Sequence, residues 1–284
     1  MNIRIIPRLD IKGPHLVKGI HLEGLRVLGK PEDFARYYYE QGADELIYMD
    51  VVASLYERNS LHDIISKTAK EVFIPVTVGG GLRTIDDITN VLRAGADKVA
   101  LNTAAIRKPK IIQEASRKYG SSTIVVAIEA IKQPNGQYLA FIDNGREYTG
   151  IEVVQWAIQA QELGAGELVI TSVDREGTGL GFDIDLVKKI QETVTIPVIA
   201  HGGAGKKEDI LTLYQQTEVS AVALASILHY DTIHKNASNI QESTHREGNT
   251  TFLSSGRQSF NKIQATDLKS IKYFLSSQGV QCRL

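Results

Sequence analysis

Residues 3–19 read IRIIPRLDIKGPHLVKG, and the reading of this stretch decides the fold. Ile3, Ile5, Ile6 and Leu9 are strand formers, Gly13-Pro14 turns the chain, and Lys18 follows the turn. Residues two apart in a strand share a face. Arg4, Ile6, Arg8 and Asp10 therefore fall on one side, and Ile3, Ile5, Pro7 and Leu9 on the other. A carboxylate ending a strand, before a turn with a lysine, stands where parallel α/β proteins carry their chemistry.

Outward from this stretch the pattern repeats. Apolar runs at 3–9, 45–51, 74–78, 98–101, 123–128, 167–171, 196–200 and 221–224 alternate with helical patterns at 31–41, 61–72, 85–94, 109–119, 151–163, 183–193 and 207–216. A last helix is expected at 266–277, with Thr266 as its N-cap. Pro31 and Pro109 suit first helical turns, and Gly42, Gly95, Gly120 and Gly164 follow last turns. Eight strands alternating with eight helices is the count of a (β/α)8 barrel; a doubly wound open sheet is the alternative.

The chain also matches itself at about half its length. DELIYMD (44–50) returns as GELVITS (166–172), VGGGLR (78–83) as HGGAGK (201–206), KVALNTAAI (98–106) as AVALASIL (221–228), and LDIK (9–12) as IEAIK (128–132). This offset is far longer than a solenoid repeat. Two like halves, 1–120 and 121–284, predict a closed TIM barrel with internal twofold duplication over 1–284, since a duplicated open sheet would leave edges inside the fold. Two segments break the rhythm. Residues 132–149 carry Asn-Gly twice around YLAFI, the signature of a hairpin. Residues 229–265 are polar, without a helical stripe, and read as an insertion before the last helix.

Composition bounds the function. A formal net charge of −1 gives no electrostatic case for nucleic acid or a membrane surface. The lone cysteine, Cys282, can form neither a disulfide framework nor a thiolate metal site, and no apolar run approaches a signal peptide or membrane span. A cytoplasmic protein is expected. His229, His234 and His245 match no compact metal site, so neither metal nor cofactor is expected.

Gly79-Gly80-Gly81 follows a strand and opens a helix; Gly202-Gly203-Ala204-Gly205 does the same in the other half. Bare glycines let backbone N–H groups reach an anion at a helix N-terminus. Asn102-Thr103 and Ala225-Ser226 end neighbouring strands and can complete each cradle, with His201 beside the second turn. A small substrate with a phosphate at each end, lying across the barrel mouth, fits this arrangement. Asp10 and Glu129 end the first and fifth strands, opposite one another in an eight-stranded barrel. Such a pair suits acid–base work, with Asp10 near the Arg8 cation as the base and Glu129 as the acid if it lies away from Arg8. Lys18 is a candidate phosphate ligand.

The stretches RIIPRLDIKG, GADELIYMDVVAS, IPVTVGGGLR, RAGADKVALNTAA, GSSTIVVAIEA, GAGELVITSVDREGT and IPVIAHGGAG together resemble the cyclase subunit of imidazole glycerol phosphate synthase. The resemblance spans nearly the whole chain apart from the segment before the last helix. It implies a lyase of histidine biosynthesis, in a heterodimer with a glutaminase subunit that supplies ammonia through the barrel. The substrate would be phosphoribulosyl-formimino-aminoimidazole carboxamide ribotide. The products would be imidazole glycerol phosphate and aminoimidazole carboxamide ribotide. By the same resemblance the two catalytic aspartates fall on Asp10 and Glu129. The charged ring at the ammonia inlet falls on Arg4, Glu45, Lys98 and Glu167, and the partner-facing aspartate on Asp97. Substrate contacts fall on Gly81, Asn102, Thr103, Thr171, Gly177, Gly203 and Ser226.

Departures from the family pattern cluster around the substrate. Glu129 and Glu176 stand for aspartates, Arg8 for a small residue, His201 for serine, and Ser122 for glutamine. The inlet is unchanged. Two further readings follow: a paralogue delivering ammonia for acetamidino-sugar formation in surface polysaccharides, and an inactive barrel that only activates a glutaminase.

Overall fold

The computed structural model describes residues 2–53, 61–235 and 262–284. In chain order the strands are β1 (Arg4–Lys12), β2 (His15–Ile20), β3 (Glu23–Gly29), β4 (Leu46–Asp50), β5 (Val76–Gly79) and β6 (Lys98–Leu101). They continue as β7 (Ile124–Lys132), β8 (Tyr138–Ile142), β9 (Glu147–Glu152), β10 (Glu167–Ser172), β11 (Val198–His201) and β12 (Ala221–Leu224). Eight of them pair in parallel, in the order β1-β4-β5-β6-β7-β10-β11-β12. β12 then pairs back onto β1, Arg4 opposite Ala221, which closes the ring. The open-sheet alternative is excluded, and the chain is a (β/α)8 barrel.

The alternation along β1 divides the core. Ile6 points inward, with Ile47, Val125, Val169, Ile199 and Ala221, while Ile5 and Leu9 pack outward against the helices. Phe34, Ala35 and Tyr38 bury one face of the helix Pro31–Glu40, whose proline sits in the first turn as expected. The helix Ile85–Ala94 starts on a capping box between Thr84 and Asp87 and stops at Gly95, at φ 119°. The last helix, Leu268–Ser277, is capped by Asp267, which accepts from Ser270 N; Thr266 is not the cap.

β1 runs two residues beyond Asp10 and turns into an antiparallel meander, β1-β2-β3, in which Asp10 pairs with Val17. β7 does the same with β8 and β9, Glu129 opposite Phe141. The second meander contains the expected hairpin; the first was not foreseen. The helix Ser226–Lys235 continues well past residue 229, so no polar segment begins there. Residues 236–261, and with them His245, lie outside the described part.

Local features recur at equivalent places along the repeat and correct its register at one point. Gly80 and Gly202 each follow a strand end at φ 96°. Asp87 accepts from Arg83 N and Thr84 N, as Asp209 accepts from Gly205 N and Lys206 N. His201 therefore corresponds to Gly79, not to Val78 as the letter match suggested.

Candidate active site

The C-terminal ends of the barrel strands carry two unequal cavities. One, of about 210 Å³, is lined by Gly80, Gly81, Asn102, Thr103 and Glu129, and reaches inward to Met49 and Ala100. The other has only about 20 Å³ and is lined by Gly177, His201, Gly202, Gly203, Ala225 and Ser226, room for little more than a water molecule. A glycine turn borders each of them. A Cβ on Gly80 would lie 2.2 Å from Asp50 O, and one on Gly202 2.7 Å from Ser172 O, so neither position admits a side chain.

Asp10, Lys18 and Thr171 line neither cavity; all three are buried. Asp10 Oδ1 accepts from Arg8 Nε at 2.9 Å. Arg8 Nη1 also donates to Thr171 Oγ1 and to His201 Nδ1, each at 3.0 Å. Burial works against the Arg8 charge, but Asp10, with Glu129 and Glu176, holds it in place. The two carboxylates thus meet different surroundings. Burial pushes Glu129 up to about 7, against the Arg8 charge and the Gly145 N–H that favour its anion. Gly145 N donates to Glu129 Oε2 at 2.7 Å. The Asn102 side chain also favours the ionised form, while its Oδ1 is buried without a protein partner.

Around the smaller cavity, Lys18 Nζ pairs with Glu176 Oε1 and donates to Gly19 O at 2.9 Å. Glu176 Oε2 accepts from Leu22 N at 2.9 Å, so the meander on β1 closes over this side. His201 is held neutral, first by burial and then by Arg8 and Lys18.

Both ring nitrogens of His229 are engaged within the protein. Its Nδ1 meets Tyr38 Oη at 2.6 Å and its Nε2 meets the Arg8 carbonyl at 3.0 Å. Burial pushes its pKa down to about 3. The neutral ring therefore donates to Arg8 O and accepts from Tyr38. Among the described residues no cluster of His, Cys, Asp or Glu could hold a metal ion, and no helix is long and apolar enough to cross a membrane.

At the opposite end of the barrel four charges close a ring. Arg4 donates to Glu45 at 2.6 Å and Glu167 at 2.5 Å, and Lys98 donates to the other oxygens of both at 3.1 Å. Two cations and two anions leave it neutral, and each carboxylate is doubly paired. Asp97, exposed at this end, accepts from Val76 N at 2.8 Å; its counterpart Asp44 accepts from Ile5 N at 2.8 Å and pairs with buried Lys272.

Sequence reasoning missed Arg107, Asn144 and Met49 in the larger cavity. Arg107 pairs with Asp143 at 3.0 Å and Glu147 at 2.8 Å, on the second meander. Asn144-Gly145 was visible only as turn chemistry; that the turn folds back over Glu129 was not.

The sequence model of the family described as histidine biosynthesis protein matches residues 4–234. The chain is 57% identical over 208 residues to the imidazole glycerol phosphate synthase subunit HisF of Legionella pneumophila, covering 73% of this chain and 98% of that one. It is 48% identical over 229 residues to HisF of Prochlorococcus marinus, 80% of this chain and 89% of that one. Against HisF of Bacillus cereus it is 45% identical over 227 residues, 80% and 90%. With its closed barrel, its paired glycine turns and these matches along most of its length, the chain belongs to the HisF family of imidazole glycerol phosphate synthase subunits.

Proposed function

We infer that the chain is the cyclase subunit of an imidazole glycerol phosphate synthase. It takes ammonia from a glutaminase subunit and converts phosphoribulosyl-formimino-aminoimidazole carboxamide ribotide to imidazole glycerol phosphate and aminoimidazole carboxamide ribotide. The observation that carries this is the unlike pair of carboxylates at one barrel mouth. Asp10, ion-paired with Arg8, is the base. Glu129, with a pKa of about 7, holds a proton in a useful fraction of molecules at neutral pH and is the acid.

Ammonia enters at the Arg4–Glu45–Lys98–Glu167 ring, facing the partner on the side of Asp97. Above the ring the apolar layer of Ile6, Ile47, Val125, Val169 and Ile199 admits the neutral molecule and disfavours ammonium, whose charge would be stripped of water there. One phosphate of the substrate seats on Gly80, Gly81 and Thr103. The other seats on Gly202, Gly203 and Ser226, drawing Lys18 away from Glu176 and widening the small pocket. Asn102 Oδ1, without a protein partner, accepts from a substrate hydroxyl or amine between them.

A second reading is favoured by one observation: Arg8 and His201 fill the mouth beside Asp10, so the same ammonia delivery could serve a sugar acceptor instead. The test supplies ribotide and an ammonium salt at alkaline pH. Turnover at a normal enzymatic rate supports the cyclase. No ribotide turnover, with intact stimulation of a glutaminase, rejects it in favour of another acceptor or a pure activator.

A further inference from the structure

Arg8 lines neither cavity, yet it is the largest charged side chain wholly inside the barrel. Its fork runs as a chord from β1 to Thr171 on β10 and His201 on β11. Between β1 and β11 lies β12, which sets the small Ala223 opposite His201. A guanidinium only donates, so the His201 Nδ1 it meets must carry the lone pair. Thr171 Oγ1, 3.2 Å from the same nitrogen, can add its own proton as a second donor. With Nδ1 occupied, Nε2–H is the only polar atom the ring has left for the small cavity.

We propose that Arg8 is a positioning residue: one guanidinium aims the Asp10 carboxylate and fixes His201 with its proton on Nε2, as the donor the second pocket offers to a substrate anion. The substrate anion rests on the cyclase reading; the tautomer does not. Two kinds of group face His201. Arg8 on β1 and Lys18 on β2 oppose a second proton on its ring, while His229 on the helix Ser226–Lys235 faces it as a neutral imidazole. The nearby carboxylates are already engaged, Asp10 by Arg8 and Glu176 by Lys18. A neutral donor fits this pocket, since it binds a phosphate oxygen without adding a third buried cation beside Arg8 and Lys18.

The test is long-range 1H–15N spectroscopy of the imidazoles in the full chain, with His201→Leu for assignment. In the wild type, His201 is expected as a neutral Nε2–H ring from about pH 5.5 to 8, and inorganic phosphate should shift its Nε2 signal. Arg8→Met should release the ring into mixed tautomers. Arg8→Lys keeps a charge beside Asp10 but lacks the fork, so it guards against a variant that fails to fold. With ribotide and ammonium salt, Arg8→Lys should raise KM about tenfold, the worth of one lost directed hydrogen bond. Arg8→Met should also lower kcat by about a hundredfold, through a misplaced Asp10. An Nδ1–H tautomer in the wild type, protonation of His201 within that pH window, or an Arg8→Lys protein unchanged in both spectrum and KM overturns the proposal. If the wild type does not turn over the ribotide, the cyclase reading fails and the spectra still decide the role of Arg8.

Discussion

Glu129→Gln separates charge from shape at the acid position. Burial raises the Glu129 pKa to about 7 from an ordinary 4.5. Below the lower value the group is protonated in folded and unfolded chains alike, and it costs nothing. Between the two values the unfolded chain releases the proton and the folded one keeps it, so stability falls as pH rises. Above the upper value the folded protein carries the full cost, about 3 kcal/mol. Glutamine has the same outline and can still accept from Gly145 N, the bond now 2.7 Å long, but it never ionises. The variant should therefore match the wild type in urea unfolding near pH 4.5 and be more stable by up to about 3 kcal/mol near pH 8. Comparing the two proteins at each pH cancels every other titrating group. Cyclase activity should drop by about a hundredfold or more at both pH values. In the wild type, the step that needs the acid should slow as pH rises through 7. A stability difference that is equal at the two pH values, or a variant weaker at pH 8, would show that Arg8 and Gly145 hold Glu129 as an ordinary carboxylate, and the acid assignment would go with it.

Arg4→Met opens the floor ring and leaves Glu45 and Glu167 with Lys98 alone; glutamine-driven turnover should fall more than ammonium-driven turnover, and equal losses would separate the ring from ammonia transfer. His229→Ala removes a fully buried ring and leaves Tyr38 Oη and Arg8 O short of a partner, so unfolding free energy should fall by about 2–4 kcal/mol. A double-mutant cycle with Tyr38→Phe should show coupling of about 1 kcal/mol, and strict additivity would contradict the contact. Gly80→Ala forces a Cβ to within 2.2 Å of Asp50 O at φ 96°; phosphate binding by calorimetry should lose the site at this turn and keep the one at Gly202, and an unchanged stoichiometry and affinity would remove the Gly80 turn from the anion site.

The barrel was legible because period-2 apolar runs and helix boundary signals agreed along the chain, and because the repeat demanded closure. The meander after β7 was legible for a local reason: Asn144-Gly145 suits left-handed backbone, and the turn does hold φ of 61° and 77° there. The matching turn after β2 is built from His21 and Leu22, at φ of 53° and 62°. The Leu22 side chain does nothing to invite that conformation. Contacts remote in sequence hold it: His21 N and Leu22 N donate to the Glu176 carbonyl and carboxylate, and Asn144 donates to Leu22 O. The glycine turns were visible for the same local reason as Asn-Gly. The Arg8–His201 bond was not, since it depends on strand register and on which sector of the barrel is empty.

That register also explains why two similar halves end in unlike pockets. Gly79 and His201 are equivalent, and so are Ala127 and Arg8, each pair at the same inward step of corresponding strands. In the first half a larger residue at the glycine would crowd its neighbours, because a Cβ there would lie 2.7 Å from Met49 Sδ and 3.0 Å from Ala100 Cβ, and Met49 would have to move. Met49 and Ala100 line the open cavity, so the small residue and the open space go together. The other half puts histidine at that step, and β1 sends arginine to meet it. Either change alone would be costly. A buried guanidinium bonded only to Asp10 and Thr171 leaves an Nη1–H unmet, and a buried imidazole without Arg8 keeps only the longer 3.2 Å contact to Thr171 Oγ1. Together each satisfies the other, and Thr171 bonds both. The twofold backbone is thus preserved while its symmetry is broken by one complementary pair, which closes the Gly202 side, leaves the Gly80 side open, and gives Asp10 and Glu129 different charge environments at a single mouth.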